Sequence, residues 1–124
     1  HIGSLMRTKY TEFNEYHTSA DNLSFVTDTN LIKSLDMYKK CITIFENNHI
    51  YKAQTLCEPR LGIHGLWDTV GGSKKKDNTI FRKILYYCDG TNDVVDICRI
   101  LQKHFNEVND AVLLMYSKQL IQKI

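Results

Sequence analysis

The densest run of reactive side chains is Glu15-Tyr16-His17-Thr18-Ser19-Ala20-Asp21-Asn22-Leu23. It sets a carboxylate, a phenol, an imidazole and a second carboxylate within seven positions. An imidazole is a ready metal ligand and proton acceptor near neutral pH. One imidazole does not make a metal centre, however. Zinc takes three or four protein ligands, and a two-metal site adds a bridging carboxylate and a general base. The other four histidines do not fill the set, since no pair has H-x-x-H or H-x-x-x-H spacing. Cys57, Glu58 and His64 form a second local group, but their spacing matches no standard zinc ligand set. The chain alone therefore carries pieces of chemistry, and no catalysis is expected of it.

Three regions must hold these residues. Residues 1–27 show little helical periodicity, and a short strand is expected near Leu5–Thr8 with a loop through Asp21–Leu23. Their apolar side chains, Phe13, Phe25 and Val26 among them, need a partner surface. Over 28–49, Leu31, Leu35, Tyr38, Ile42 and Phe45 recur at intervals of four and three, which puts them on one face of a helix. Asp28 or Thr29 is expected to cap its start.

Residues 50–77 hold four of the six glycines and the only proline. A strand over Tyr51–Leu56 is expected there, then an ordered loop from Cys57 to Gly72. That loop reads as a docking strap, with Leu61, Ile63, Leu66 and Trp67 packing on a neighbour while the glycines permit tight turns. Lys74-Lys75-Lys76 reads as a solvated tip.

Residues 78–124 carry three helical patterns. Asp77 or Asn78 is expected to cap the first, with Ile80, Phe81, Ile84, Leu85 and Cys88 inward and Asp89-Gly90 as its stop. Thr91 or Asn92 is expected to cap the second, with Val94, Val95, Cys98 and Leu101 inward. Asn106 is expected to cap the third, with Val108, Ala111, Val112 and Met115 inward. Leu120–Ile124 closes as a short strand. Three short helices and a strand match a helix-turn-helix or winged-helix layout.

Charge speaks against a nucleic-acid role for that layout. The whole chain nets only +2, and the third helix opens with Glu107, Asn109 and Asp110 where a recognition helix needs basic side chains. No apolar run approaches the ~20 residues of a membrane span, and His1–Arg7 is not a signal peptide. No cysteine pair has C-x-x-C spacing, so Cys41, Cys57, Cys88 and Cys98 are read as reduced thiols of a cytoplasmic protein.

In its ordered motifs the chain resembles the co-catalytic zinc aminopeptidases, which end their catalytic domain with His-Thr-x-x-Asp. It is most similar to a bacterial branch of aminopeptidase-like proteins, often named for polysaccharide biosynthesis, that carry a C-terminal winged-helix module. The matching residues are Ile2-Gly3-Ser4-Leu5-Met6-Arg7, Glu15-Tyr16-His17-Thr18-Ser19, Asp21-Asn22-Leu23, Glu58-Pro59, Leu61-Gly62, Gly65-Leu66 and Gly71-Gly72, in that order over nearly the whole chain. Asn22 stands where the wider peptidase family usually has Thr.

The resemblance implies an α+β chain that is an incomplete piece of a larger protein. Residues 1–49 would be the end segment of an α/β zinc-peptidase domain, 50–77 an ordered connector and 78–124 a winged-helix-like module. It implies His17 as the last zinc ligand, Tyr16 as a hydroxyl stabilising the oxyanion, and Asp21 as a group orienting that region. As the alternative to the docking strap, Glu58 or Arg60 would reach the rim of the cleft and contact substrate. The intact protein would be a zinc-dependent hydrolase of amide bonds. Its module would pack on the rest of the catalytic domain or on a second copy, with neither membrane nor nucleic acid as partner. The rival reading is a non-enzymatic interaction or DNA-binding module.

Overall fold

The computed structural model describes residues 3–67 and 79–124, and the chain folds as two compact units, His1–Thr43 and Ile44–Ile124. The fold class is α+β: four helices and a three-stranded antiparallel sheet among the described residues.

In the first unit, residues 10–26 run as successive turns and bends, and the strand expected at Leu5–Thr8 does not form. An extended segment becomes a strand only beside a ladder partner. Here the Leu5 carbonyl instead accepts from the Tyr38 hydroxyl at 2.7 Å. Helix α1 spans Asp28–Asn47. Its cap lies one residue earlier than expected: Thr27 Oγ1 accepts from Asn30 N at 3.4 Å, while the Thr27 carbonyl takes the Asn30 and Leu31 amides. No residue of α1 is buried.

The second unit is built from β1 (Ile50–Ala53), a 3₁₀ turn over Leu61–His64, α2 (Thr79–Tyr87), β2 (Asp89–Asp93), α3 (Val94–Leu101), α4 (Phe105–Ser117) and β3 (Ile121–Lys123). The strand order is β2-β1-β3, so the strand earliest in the unit lies in the middle. Tyr51 faces Lys123 and Ala53 faces Ile121 in one ladder, and Lys52 faces Asp89 in the other. The residues expected inward on α4 are all buried, as are Ile84, Leu85, Cys88, Val94 and Cys98. Ile97 joins them, and Phe81, Ile80 and Leu101 pack half-buried against the same core. At ~25 cal/mol per Å² of apolar area, a fully buried Ile or Met contributes about 1.5–3 kcal/mol. Residues of this kind, drawn from α2, α3, α4 and two of the strands, give the unit a core of its own.

The helix caps moved with the sheet. Thr91 and Asn92 lie within β2, and the α3 cap is Asp93, whose carboxylate accepts from Asp96 N at 2.8 Å. Asn48 reinforces it, accepting from Val95 N and donating to Asp93 Oδ2, both at 2.9 Å. Helix α4 starts at Phe105 with His104 as its cap residue, not Asn106, and no side chain caps it. The cap expected at Asp77 or Asn78 and the Lys74–Lys76 tip lie outside the described residues.

Of the stretch expected as a connector, 50–77, the described part, residues 50–67, takes part in the module. It supplies the central strand, and Leu61 and Leu66 enter the core at 4% and 3% exposure. Gly65 ends the 3₁₀ turn at φ 70°, where L side chains are rarely found. At Gly90 (φ 93°) an added Cβ would also come within 3.1 Å of Ile124 Cδ1.

Candidate functional site

The His17 segment is a chain of turns held by its own short polar side chains. Thr18 Oγ1 donates to the Glu15 carbonyl at 2.8 Å and accepts from Ala20 N at 3.2 Å. The Asp21 amide closes on the Thr18 carbonyl at 3.1 Å. Asn22 Oδ1 accepts from the amide and hydroxyl of Ser24, at 2.9 and 2.6 Å. Ser, Thr and Asn favour such local bonds over helix or strand, which explains an ordered but irregular loop.

Within that loop His17 adopts φ 58°. A left-handed conformation at a non-glycine residue costs roughly 1–3 kcal/mol and persists only where the surroundings impose it. The imidazole is exposed, and its ring meets Tyr16 edge-on with centroids 4.2 Å apart. No hydrogen bond engages the imidazole nitrogens among the described residues. Tyr16 is 41% exposed and also packs against Phe13 and Tyr10 at 5.8 and 5.9 Å. Asp21 is exposed. Tyr16 and His17 thus lie in the turn from Glu15 to Thr18 and Asp21 closes the next, with all three side chains exposed and Tyr16 part of the aromatic cluster.

Among the described residues no three His, Cys, Asp or Glu side chains converge. One neutral imidazole fits a zinc ligand chemically, but a centre needs at least two further donors. The Cys57, Glu58 and His64 group does not assemble either.

Glu58 and Arg60 belong to the second unit. Glu58 Oε1 pairs with Arg82 Nε at 3.0 Å, both side chains about half exposed. Arg82 also lies 5.7 Å from the Trp67 ring centroid. A pair this exposed is worth about 0–1 kcal/mol, and the cation–π contact about as much. Together they tie Glu58 and Trp67 of the strap to α2. Arg60 is exposed at the head of the 3₁₀ turn without a side-chain cap bond. The strap expectation thus splits: Leu61 and Leu66 pack inward, while Ile63 stays 71% exposed. Sequence reading missed Arg82, which lies 24 positions from Glu58 with no local pattern linking them.

On α4, Asn109 is buried and its Oδ1 has no partner among the described residues. Glu107 and Asp110 lie exposed, and Lys103 Nζ is already paired with Glu107 at 2.8 Å. Cys88, 1% exposed, has its thiol pushed up to about 12 by burial and then by the Asp89 charge, so it is an inert core residue. All four cysteines are free thiols. No helix of the described residues is long and apolar enough to cross a membrane.

The three-helix, three-strand unit defines a winged helix-turn-helix. Residues 49–123, more than half the chain, match the winged helix-turn-helix family, and the chain belongs to it. Residues 1–48 match a domain of unknown function (DUF4910). The chain is 33% identical, over 99% of its length, to a Clostridium acetobutylicum protein named "Putative polysaccharide biosynthesis protein with aminopeptidase-like domain". It spans 29% of that relative, in the C-terminal region. It also superimposes on the crystal structure of a "putative peptidase" from the same organism with a TM-score of 0.78 and 31% identity. That match covers 96% of this chain and 26% of the other. The resemblance drawn from the ordered motifs thus holds.

Proposed function

We propose that this chain is the C-terminal portion of a cytoplasmic, zinc-dependent aminopeptidase-like hydrolase, in which His17 supplies one metal ligand. The observation that carries the reading is the end-to-end match to a protein with an aminopeptidase-like domain, of which this chain spans 29%. In the intact protein Tyr16 would stand beside the ligand as a donor to an oxyanion, and Asp21 would hold the turn in register. Bound zinc would supply an activated water for amide hydrolysis. This chain's own part is to present one imidazole, and it does not catalyse alone. Arg60 is the better candidate for the substrate rim, since Glu58 is engaged by Arg82.

The winged-helix module serves packing or assembly rather than DNA reading. The exposed Glu107 and Asp110 at the start of α4 would meet phosphates with carboxylates.

Zinc content of the intact gene product tests the reading. About two zinc ions per polypeptide are expected, falling to one or fewer in His17→Asn, a replacement that tolerates the left-handed backbone. Unchanged zinc in both His17→Asn and His17→Ala removes His17 from the site.

A further inference from the structure

Helix α1 carries an exposed apolar seam, touched among the described residues by the Leu5 carbonyl at the Tyr38 hydroxyl. Leu31, Leu35, Tyr38, Ile42 and Phe45 follow at intervals of four, three, four and three, and they are 55%, 52%, 42%, 59% and 81% exposed. That spacing keeps side chains in one narrow line along a helix. The adjoining line, Asn30, Ser34, Met37 and Cys41, is half-buried. Contiguous exposed apolar surface of this extent marks an interaction site.

Two occupants could cover such a seam: a second copy of the helix, or polypeptide outside these 124 residues. The rest of the first unit decides between them. Leu5, Met6, Tyr10, Leu23 and Phe25 are also exposed, Leu23 at 88%, and none of the described residues up to Thr43 is buried. A helix paired with its own copy covers one seam and leaves those side chains in water. The relative that this chain matches end to end is more than three times as long, which supplies enough polypeptide to cover both.

We infer that the Leu31–Phe45 seam is an intramolecular docking face, covered in the intact protein by the aminopeptidase-like domain that precedes this segment. The inference rests on the reading given under Proposed function, and its test does not depend on zinc.

Hydroxyl-radical footprinting with mass spectrometry compares the intact gene product with the 124-residue chain. Leu31, Leu35, Tyr38, Ile42 and Phe45 should be modified at least about tenfold more slowly in the intact protein. Tyr86, 78% exposed on α2, should be modified equally in both and serves as the control. Equal modification of the seam in the two samples overturns the inference. So does protection in the short chain that rises with its concentration alongside dimer formation in sedimentation, which would assign the seam to a second copy. A protected seam in a protein without zinc would sink the metal assignment and leave the docking face standing.

Discussion

The two units have similar kinds of side chain and opposite outcomes. Residues up to Thr43 hold most of a 20-residue helix with well-spaced apolar side chains, yet none of those described is buried. From Ile44 onward the same residue types close into a core in which Ile84, Val94, Ile97, Val108, Val112 and Met115 are fully excluded from water. Amphipathic spacing is therefore necessary for burial and not sufficient. A helix needs a second surface, and only the later unit brings its own, in the form of a sheet and three mutually packed helices.

Truncation should separate the units most sharply. Met115→Ala or Ile84→Ala should destabilise the chain by about 2–5 kcal/mol, the usual cost of a cavity in a filled core. Leu35→Ala or Ile42→Ala should change it by no more than about 0.5 kcal/mol, as at surface positions. Urea titration of the 124-residue chain reads both. A large cost at Leu35 would mean that the first unit has a core after all. Asp93→Ala should cost the second unit about 1 kcal/mol by uncapping α3. The effect should exceed that of Thr27→Ala, whose helix contributes little to global unfolding. A smaller effect lies at Asp89, whose carboxyl is held below the usual range by the Thr91 hydroxyl, then by the Thr91 amide. A lowered folded pKa adds stability above the ordinary carboxylate range, lost as pH falls through the folded value. Asp89→Asn should therefore flatten a small part of the acid limb of stability against pH, and leave stability unchanged once the pH is below that folded value.

Much of this was written in local sequence. The α1 stripe, the inward faces of α2 and α4 and the final strand all follow from spacing, whereas Asp89-Gly90, expected as the stop of α2, lies in β2 after the helix ends at Tyr87. What escaped was non-local. Asp89-Gly90-Thr91-Asn92-Asp93 is poor in strand formers and becomes β2 only because β1 lies beside it. That ladder in turn displaced the expected caps to Asp93. The central place of β1, and with it the membership of the strap in the module, depends on pairing between residues ~40–70 positions apart, which no local pattern encodes. At the candidate site, the composition of the turn was legible, but the left-handed backbone of His17 was not. Nothing in Tyr16-His17-Thr18 demands it.

Amide hydrogen exchange on the 124-residue chain tests most directly whether a finished module is joined to an unfinished segment. Amides of α2, α4 and the sheet should be protected together, through global unfolding. Those of residues 28–43 should exchange within about tenfold of the unstructured rate, as expected for a helix without tertiary support. Protection of residues 28–43 equal to that of α4 would contradict the account.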